Sequence, residues 1–422
     1  MKVIILGSGI IGVTTAYMLS KIGCEVIVLE KDPASGMKCS HANGGQLSFS
    51  HVEPWSSQAS ITSILKAAFK PSSFVFFRDF FNKDFYRWFF RFANNSTEKR
   101  TQAISIKLLE LGYYSRKILN DILEEEKIDF HYNKHGILHF YRSKKNFHKA
   151  IKQANFQKKL GCNLEILNIR GCLELEPNLA KLGNQNDIVG GILYRDDASG
   201  DPFLFIQKLE EICKNKFKTQ FIYDCEVKNI LTNHTKITGI NSSKGVFQAD
   251  LYVNTLGSYG NDLLKGIEID SDIYPIKGYS LSIPVPKNSS APKISLTDAE
   301  NKIVYSRLGS IFRVAGIIEI CNLNNKHNSR SINFLKKTVK STYDNYGDLE
   351  KAEEWSGFRP YRSNCLPMIG RVKKYGNLFI NSGHGSLGWS NSFGSAKIIS
   401  DLVFSKNLNT KFSIFEDQIN EI

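Results

Sequence analysis

The hydrophobic positions at the start of the chain form two short continuous runs separated by a helical pattern. Residues 3–6 are four consecutive apolar side chains, which is typical of a parallel strand buried on both faces. The spacing then predicts a helix from about Ile11 to Ile22, followed by a second strand over residues 25–29. The sequence therefore predicts a strand, helix and strand unit built on a parallel sheet.

The turn between this first strand and the helix carries glycines at G-x-G-x-x-G spacing. Gly7 permits the tight turn, and Gly9 lets a pyrophosphate approach the backbone. Gly12 lets the helix pack closely on the strand, and the helix N-terminus offers free N–H groups and a positive dipole end to the phosphates. Glu30 ends the second strand about twenty residues later, where its carboxylate accepts both ribose hydroxyls. The whole unit predicts dinucleotide binding.

The pattern farther along the chain predicts that a second sheet interrupts this domain. The predicted elements are helices over 103–126, 203–214 and 331–343, strands over 220–223, 249–255 and 378–381, and alternating strands over 274–316. We expect an α/β fold in which a Rossmann-like domain carries an inserted antiparallel-sheet substrate domain. The predicted boundaries are 1–60 with 155–265 and 348–422 for the first domain, and 61–154 with 266–347 for the second.

Three glycine-rich or polar loops are candidates for contacts with a cofactor ring. In the loop at 39–48, Asn43, Gly44 and Gln46 offer amide groups and close backbone approach, which suit an isoalloxazine ring or a second phosphate contact. As an isolated string, this stretch is also compatible with a plain loop. Gly257 follows a predicted strand and suits a turn behind the cofactor, and the turn at 382–388 offers amides to the pyrimidine edge of a flavin.

Charge and composition narrow the classes of partner. The net charge of +14 favours an anionic surface or ligand. Lys and Arg are scattered without a nucleic-acid recognition motif, so we rank a membrane surface above nucleic acid. The first strand begins at residue 2, and apolar runs stay below about 18 residues. We therefore expect neither a signal peptide nor a membrane span, and a location in the cytoplasm or on the inner face of the membrane.

Cysteine and histidine spacing gives no support for a metal site. The eight cysteines include no C-x-x-C pair and no zinc-ligand spacing, so reduced and mostly buried thiols are expected. His131, His135 and His139 invite a metal interpretation, but the strand pattern around Ile137 would separate the imidazoles. We expect packed or solvated histidines and no metal.

The segment at 64–92 mixes aromatic residues with lysines and arginines and has two interpretations. The first is a helix pair whose aromatic face packs on the core. The second is an interfacial segment that inserts aromatic side chains among lipids while its basic residues meet anionic headgroups. The pattern alone leaves both open.

Six motifs in a fixed order give the chain a resemblance to a known family. They are VIILGSGIIGV at the start, ANGGQLS, ASGDPFLF at 198–205, YPIKGYSLSIP, WSGFRP and SGHGSLGW. In this order the chain resembles the FAD-dependent amino acid oxidoreductases related to D-amino acid oxidase and glycine oxidase. Among these it most resembles the small subunit of bacterial D-amino acid dehydrogenases. The resemblance runs nearly end to end.

The resemblance implies that the Rossmann-like domain binds FAD and that the chain oxidises a small D-amino acid to a 2-oxo acid and ammonia. Hydride would pass from the α-carbon to the flavin, and electrons from there to quinone or another acceptor in the membrane. The resemblance also favours the second interpretation of residues 64–92, in which this segment lies in the membrane interface. The expected location is then the cytoplasmic side, peripheral to the inner membrane. The cofactor residues expected from motif and resemblance are Val3, Gly7, Gly9, Ile10, Ile11, Gly12, Glu30, Lys31, Ser40, Asn43, Gly44, Gln46, Val227, Gly257, Gly383, Gly385, Leu387 and Gly388.

The expected catalytic residues are Arg359, Tyr279 and His384. Arg359 is the first candidate for the substrate carboxylate because a guanidinium forks onto two oxygens; its alternative role is structural. Tyr279 suits a carboxylate contact, a lid or a buried sheet position, and His384 is expected beside the flavin. Arg307 and Arg313 lie on the second sheet, where alternation leaves open which one faces the cavity.

The chain departs from the family pattern after the G-F-R-P motif. It has Ser363, Asn364 and Cys365 where relatives commonly carry a Thr-Pro-Asp-Gly stretch, which puts the substrate range in doubt more than the reaction. Cys39 and Cys365 are possible attachment points for flavin, but tight non-covalent binding is expected. Alternative functions are a glycine or sarcosine oxidase, a proline or hydroxyproline dehydrogenase, and a membrane-docked flavin-binding subunit without chemistry.

Overall fold

The predicted strand, helix and strand unit is present at the start of the fold. The structure is a computed structural model that describes residues 1–50, 62, 74–78, 82–181, 188–286, 288–342, 346–404 and 410–420. The first helix runs over Ile10–Lys21 and the flanking strands over Lys2–Leu6 and Glu25–Leu29, within a residue of the prediction where bounds were given. The pattern of apolar residues is strongest here, which is why the bounds agree.

The remaining elements follow in chain order. The strands are β1 Lys2–Leu6, β2 Glu25–Leu29, β3 Gln46–Leu47, β4 Val75–Phe77, β5 Ile137–Tyr141, β6 Leu164–Leu167, β7 Gly190–Tyr194, β8 Ala198–Ser199, β9 Gln220–Ile222, β10 Val227–Asn233, β11 Lys236–Ser242, β12 Gly245–Phe247, β13 Leu251–Asn254, β14 Ile273–Pro284, β15 Ser295–Asp298, β16 Ile303–Leu308, β17 Ile311–Ile320, β18 Glu353–Arg362, β19 Met368–Arg371 and β20 Leu378–Ser382. The α-helices are α1 Ile10–Lys21, α2 Lys83–Asn94, α3 Glu98–Glu126, α4 Lys144–Lys159, α5 Ile169–Leu175, α6 Pro202–Phe217, α7 Asn261–Lys265, α8 Ser329–Thr342, α9 Gly388–Val403 and α10 Ser413–Asn420.

One sheet has the strand order β19-β20-β13-β1-β2-β9 in the described part of the chain. Strand β1 pairs in parallel with both β2 and β13, β13 pairs in parallel with β20, and only β19 is antiparallel to its neighbour. In an open parallel sheet, ligands bind at the carboxyl ends of the strands. The ends of β1, β2 and β13 therefore position the predicted dinucleotide site.

The second sheet has the order β18-β14-β17-β16-β15-β5-β7-β6, and β4 also pairs with β17. It is mixed rather than purely antiparallel as predicted, because β15 pairs in parallel with β5 and β4 in parallel with β17. Strands β6, β7 and β18 belong to this sheet, although the predicted boundaries placed residues 155–265 and 348–422 in the other domain. The chain crosses between the sheets more often than its local pattern reveals.

Helix α3 begins at Glu98, five residues before the predicted start at 103. Residues 98–102 are polar and have no apolar period, so the hydrophobic pattern does not report them. Thr97 precedes the helix with an extended backbone, which is the usual N-cap conformation. The apolar positions of α3, including Leu108 and Leu119, are buried in the core.

Part of the aromatic and basic segment at 64–92 lies within the described residues. Residues 64–73 and 79–81 fall outside them. The rest forms β4 and α2, so residues 75–77 form a strand where the first of the two interpretations expected a helix pair. Asn82 caps α2 by accepting a hydrogen bond from the Phe85 amide at 3.0 Å. Phe85 and Trp88 are buried against Tyr274, while Phe90 is 66% exposed.

Candidate cofactor and substrate site

A cavity of about 1190 Å³ opens at the carboxyl ends of β1 and β2 and extends to the second sheet. Most of the residues predicted for cofactor and substrate line it. They are Gly7, Gly9, Ile10, Ile11, Glu30, Lys31, Ser40, Asn43, Gly44, Gln46, Val227, Gly257, Gly383, Gly385, Leu387, Gly388, Arg359, Tyr279 and His384. Residues far apart in the chain therefore share one cavity, and their individual contacts with a ligand remain predictions.

Val3 and Gly12 were predicted as cofactor residues but do not line the cavity. Val3 is fully buried in the centre of the first sheet, where β1 pairs with strands on both sides. A Cβ on Gly12 would lie 2.0 Å from the Gly7 carbonyl oxygen. Gly12 therefore serves the close approach of α1 to the turn, which is the part of its predicted role that the structure supports.

The N-terminus of α1 has the features of a phosphate site. Gly7 has a φ of +92°, a backbone conformation that favours glycine, and Gly9 precedes the helix. No side chain caps the helix at Gly9, and its first turn contains no acidic residue. The Ser40 hydroxyl accepts from the Ile10 amide at 3.1 Å. The N–H groups and dipole at this end thus suit a pyrophosphate.

Glu30 lies at the end of β2 with its carboxylate held in place. One oxygen accepts from the Ser8 amide and the Ser8 hydroxyl at 2.7 Å each, and the other accepts from the Asp32 amide at 3.0 Å. A carboxylate has about four acceptor positions, so these bonds leave capacity for ribose hydroxyls. Lys31 forms an ion pair with Glu226 at 2.5 Å, beside Val227.

The turn before α9 places His384 against the cavity. Gly383 and Gly385 have φ angles of +83° and +56°, so glycine is needed on both sides of this histidine. His384 is buried, and burial lowers its pKa to about 3, so the imidazole is neutral at physiological pH. It is therefore not a cation for the substrate carboxylate.

Several buried polar atoms along the cavity have no hydrogen-bond partner among the described residues. They are Ser258 Oγ, Asn381 Oδ1, Ser382 Oγ, His384 Nε2 and Trp389 Nε1. Buried polar atoms in native proteins are nearly always hydrogen-bonded. A ligand rich in donors and acceptors, such as the ring and ribityl chain of FAD, fits this lining. Sequence reasoning missed Ser258, which lies in none of the six motifs, and Trp389, which ends SGHGSLGW but was not singled out as a cofactor residue.

Arg359 is the one arginine among the described residues that line the cavity. Its guanidinium lies over Gly278, where an added Cβ would come within 2.4 Å of it. It donates to the carbonyl oxygens of Ile317 at 3.1 Å and Gly316 at 3.4 Å. Among the described residues, Arg359 forms no ion pair with a carboxylate. The half-buried guanidinium thus keeps donors for an anionic substrate.

A bulge in β17 turns the carbonyl groups of Gly316 and Ile317 toward Arg359. The register between β14 and β17 shifts between Lys277 and Tyr279, leaving an extra residue on β17. Ile317 in this bulge has a φ of +71°, which is rare and strained for a β-branched residue. Strained backbone often accompanies functional sites, and here it orients the candidate carboxylate ligand.

Tyr279 occupies a position that differs from its predicted role. It is only 1% exposed, and its hydroxyl donates to the carboxylate of Glu319 and accepts from the Asn328 amide at 3.2 Å. Burial and the Glu319 carboxylate raise the pKa of the phenol. Its ring lines the cavity, but its hydroxyl is used within the sheet. The structure therefore supports the buried sheet tyrosine over a carboxylate ligand.

The departure from the family pattern at 363–365 has a local structural consequence. Asn364 accepts a hydrogen bond from the Leu366 amide at 3.1 Å, and Ser363 bonds to Asp272. Cys365, at the glycine position of the usual stretch, has a φ of +60°. Cys365 therefore adopts the left-handed conformation that suits glycine, although it carries a side chain.

Comparison with known proteins identifies the family of the chain. A family model described as FAD dependent oxidoreductase matches residues 2–402. The chain is 35% identical over 409 residues to the D-amino acid dehydrogenase of Granulibacter bethesdensis, covering 97% of each sequence. It is 31% identical over 403 residues to the D-amino acid dehydrogenase of Vibrio cholerae, covering 96% of this chain and 95% of the relative.

Solved structures share the fold along the whole chain. Glycine oxidase from Geobacillus kaustophilus has a TM-score of 0.76 at 19% identity, covering 98% of this chain and 97% of its own. L-proline dehydrogenase from P. horikoshii has a TM-score of 0.71 at 15% identity, covering 97% and 94%. The fold class predicted from the sequence is thereby confirmed. Because the family model matches residues 2–402 and these relatives at 31% and 35% identity cover 96–97% of the chain, the chain belongs to the family of FAD-dependent oxidoreductases.

Proposed function

We propose that the protein is a D-amino acid dehydrogenase, which oxidises small D-amino acids to 2-oxo acids and ammonia and passes the electrons to a membrane acceptor such as quinone. The observation that carries the proposal is the Arg359 guanidinium, which faces the cofactor cavity without a carboxylate partner among the described residues. Relatives named D-amino acid dehydrogenase, at 31–35% identity, support the choice of substrate.

The chain's own residues supply binding and orientation. FAD, when bound, supplies the acceptor for the hydride from the substrate α-carbon. Arg359 pairs with the substrate carboxylate through two parallel N–H bonds, which fixes the direction of the α-carbon. His384 stays neutral because it is buried, so it adds no second positive charge that would compete for the carboxylate. The Tyr361 hydroxyl donates to Ser386 at 2.9 Å and fixes the turn that carries His384.

The membrane part of the proposal is supported by the exposed face of α2. Phe90 and Tyr86 are 66% and 44% exposed, and Arg87 on the same helix is also exposed. Exposed aromatic side chains next to basic ones are typical of helices that lie in the interface of an anionic bilayer. No helix in the described part of the chain is long and apolar enough to cross a membrane. We place the enzyme at the cytoplasmic face of the inner membrane, held as a peripheral protein.

The proposal is tested by the visible spectrum of the purified, FAD-loaded protein without oxygen. D-alanine is expected to bleach the flavin band and L-alanine to leave it unchanged. In Arg359→Lys, the D-alanine concentration for half-maximal bleaching rate should rise about 100-fold, because a lysine cannot pair with both carboxylate oxygens. Dye reduction without oxygen uptake would distinguish a dehydrogenase from an oxidase.

Arg307→Lys is the matched control for this experiment. Arg307 is on the same sheet, but it bonds to the Gly309 carbonyl of its own hairpin and does not line the cavity. Its substitution should leave the D-alanine dependence unchanged. Bleaching by glycine, sarcosine or proline instead of D-alanine would move the assignment to a sister activity. A flavin band that no amino acid bleaches would contradict the enzymatic proposal.

A further inference from the structure

Three consecutive carbonyl groups of the loop at 39–48 are held by side chains of the second sheet. The Ser280 hydroxyl donates to Ala42 O at 2.6 Å, and the Ser306 hydroxyl donates to Gly44 O at 2.8 Å. Between them, Arg313 donates to Asn43 O at 2.8 Å. The three donors come from β14, β16 and β17, so the second sheet determines the orientation of a loop that belongs to the first domain.

The direction of these carbonyl groups determines the direction of the N–H groups that follow them in the loop. In a trans peptide the C=O and the following N–H point in opposite directions. Because the carbonyls of Ala42 and Asn43 point to the sheet, the N–H groups of Asn43 and Gly44 point away from it. Neither amide has a hydrogen-bond acceptor among the described residues, and both residues line the cavity. The next amide, that of Gly45, is occupied by Asn43 Oδ1 at 2.9 Å.

The loop is pressed closely onto the sheet, so this orientation is tightly held. An added Cβ on Gly44 would lie 2.5 Å from the Val304 side chain. The Ser306 hydroxyl is also 2.8 Å from Ser295 Oγ, which in turn accepts a hydrogen bond from Gln46 Nε2 at 2.9 Å. A connected set of hydrogen bonds therefore joins the loop to the sheet on both sides of Gly44.

Arg313 adds a positive charge directly behind the loop. It is 5% exposed, and its Nε has no partner among the described residues. It forms no ion pair within the described part of the chain, and arginine stays protonated in proteins. The charge is therefore not neutralised by a bonded carboxylate, and its field acts on whatever lies across the loop in the cavity.

We propose that Ser280 and Arg313 are positioning residues that turn the Asn43 and Gly44 amides toward the flavin ring and thereby raise its reduction potential, and that Ser306 holds the next peptide so that both amides stay in place. Reduction brings negative charge onto the ring, and oriented N–H donors backed by a buried cation stabilise that charge. The inference depends on flavin binding and not on which amino acid is the substrate.

The test uses the FAD-loaded protein without any substrate and measures two quantities, the midpoint potential of the bound flavin and the dissociation constant of FAD. Ser280→Ala and Ser306→Ala should each lower the potential and weaken FAD binding about 10-fold, since each leaves a buried carbonyl without its donor. Arg313→Gln should lower the potential further than either serine variant, because it also removes the charge.

Ser282→Ala is the matched control. Ser282 is buried two residues along β14 from Ser280, and its hydroxyl has no hydrogen-bond partner among the described residues. This variant should keep the wild-type potential and FAD affinity. Unchanged potentials in the folded Ser280→Ala and Ser306→Ala proteins would overturn the proposal, and so would an equal loss in Ser282→Ala. If Arg313→Gln fails to fold, the two serine variants still decide the outcome.

Discussion

At the scale of single residues, Cys365 adopts a backbone conformation that suits glycine better than cysteine. Its φ of +60° costs an L-residue about 1–2 kcal/mol relative to glycine. We predict that Cys365→Gly is more stable than Cys365→Ala by about 1 kcal/mol, because both variants remove the thiol and only the backbone preference differs. Urea unfolding of the two variants measures this difference. The opposite order, usual at ordinary loop positions, would contradict the left-handed conformation.

Asp197 is expected to make the stability of the protein depend on pH. One carboxylate oxygen accepts from the Phe49 amide and from the amide and hydroxyl of Ser50, while the other has no partner among the described residues. Burial raises the pKa of Asp197 to about 7. The folded protein therefore binds a proton that the unfolded chain releases near pH 4. The contribution of Asp197 to stability is therefore fully present below about pH 4 and is lost as the pH rises to about 7.

The Asp197→Asn variant should remove this pH dependence, because an amide oxygen still accepts the same bonds and carries no ionisable proton. The unfolding free energy of the variant minus that of the wild type should increase by about 3 kcal/mol between pH 4 and pH 7. Denaturant titrations at a series of pH values measure it. A difference that stays constant over this range would show that Asp197 is ionised throughout.

At the scale of secondary structure elements, α2 packs on the protein core with one face and leaves aromatic residues exposed on the other. Its inner aromatic residues pack on Tyr274, and the Trp88 indole donates to Tyr361 O at 3.0 Å, which ties the helix to the strand that carries Arg359. Its outer face leaves Phe90 exposed. An amphipathic helix anchored in this way can contact lipid without leaving the protein.

We predict that Phe90→Ser lowers the partition of the protein onto phosphatidylglycerol vesicles about 10-fold, because an aromatic side chain contributes strongly to interfacial binding. Cosedimentation measures the partition. Phe404→Ser is the control, since Phe404 is 48% exposed elsewhere on the surface. Equal effects of the two substitutions, or no vesicle binding by the wild type, would rule out α2 as the contact surface.

At the scale of the whole molecule, the cavity is formed by two sheets whose strands alternate along the chain. Gly7 follows β1 of the first sheet, and Arg359 lies on β18 of the second, yet both line the same cavity. The loop at 39–48 follows β2 of the first sheet in the chain, and its carbonyl groups accept hydrogen bonds from side chains of the second sheet. Binding the cofactor and orienting the substrate therefore both depend on how the two sheets pack together.

The sequence alone determined the parts of this protein that depend on local rules. The strand, glycine turn, helix and terminal acid of residues 1–30 follow from hydrophobic period and turn chemistry, and they predicted the dinucleotide site. The resemblance predicted FAD and the oxidoreductase family, both of which the comparisons confirm. These features are readable because neighbours in the chain are also neighbours in space.

Only the tertiary structure decided what depends on distant contacts. Arg313 contacts the loop at 39–48 while Arg307 does not, and alternation could not predict this because it does not say which face of the second sheet that loop covers. The hydroxyl of Tyr279 is occupied by Glu319, a residue 40 positions away. The burial that keeps His384 neutral also comes from distant segments, since local sequence does not report the solvent that a packed fold excludes.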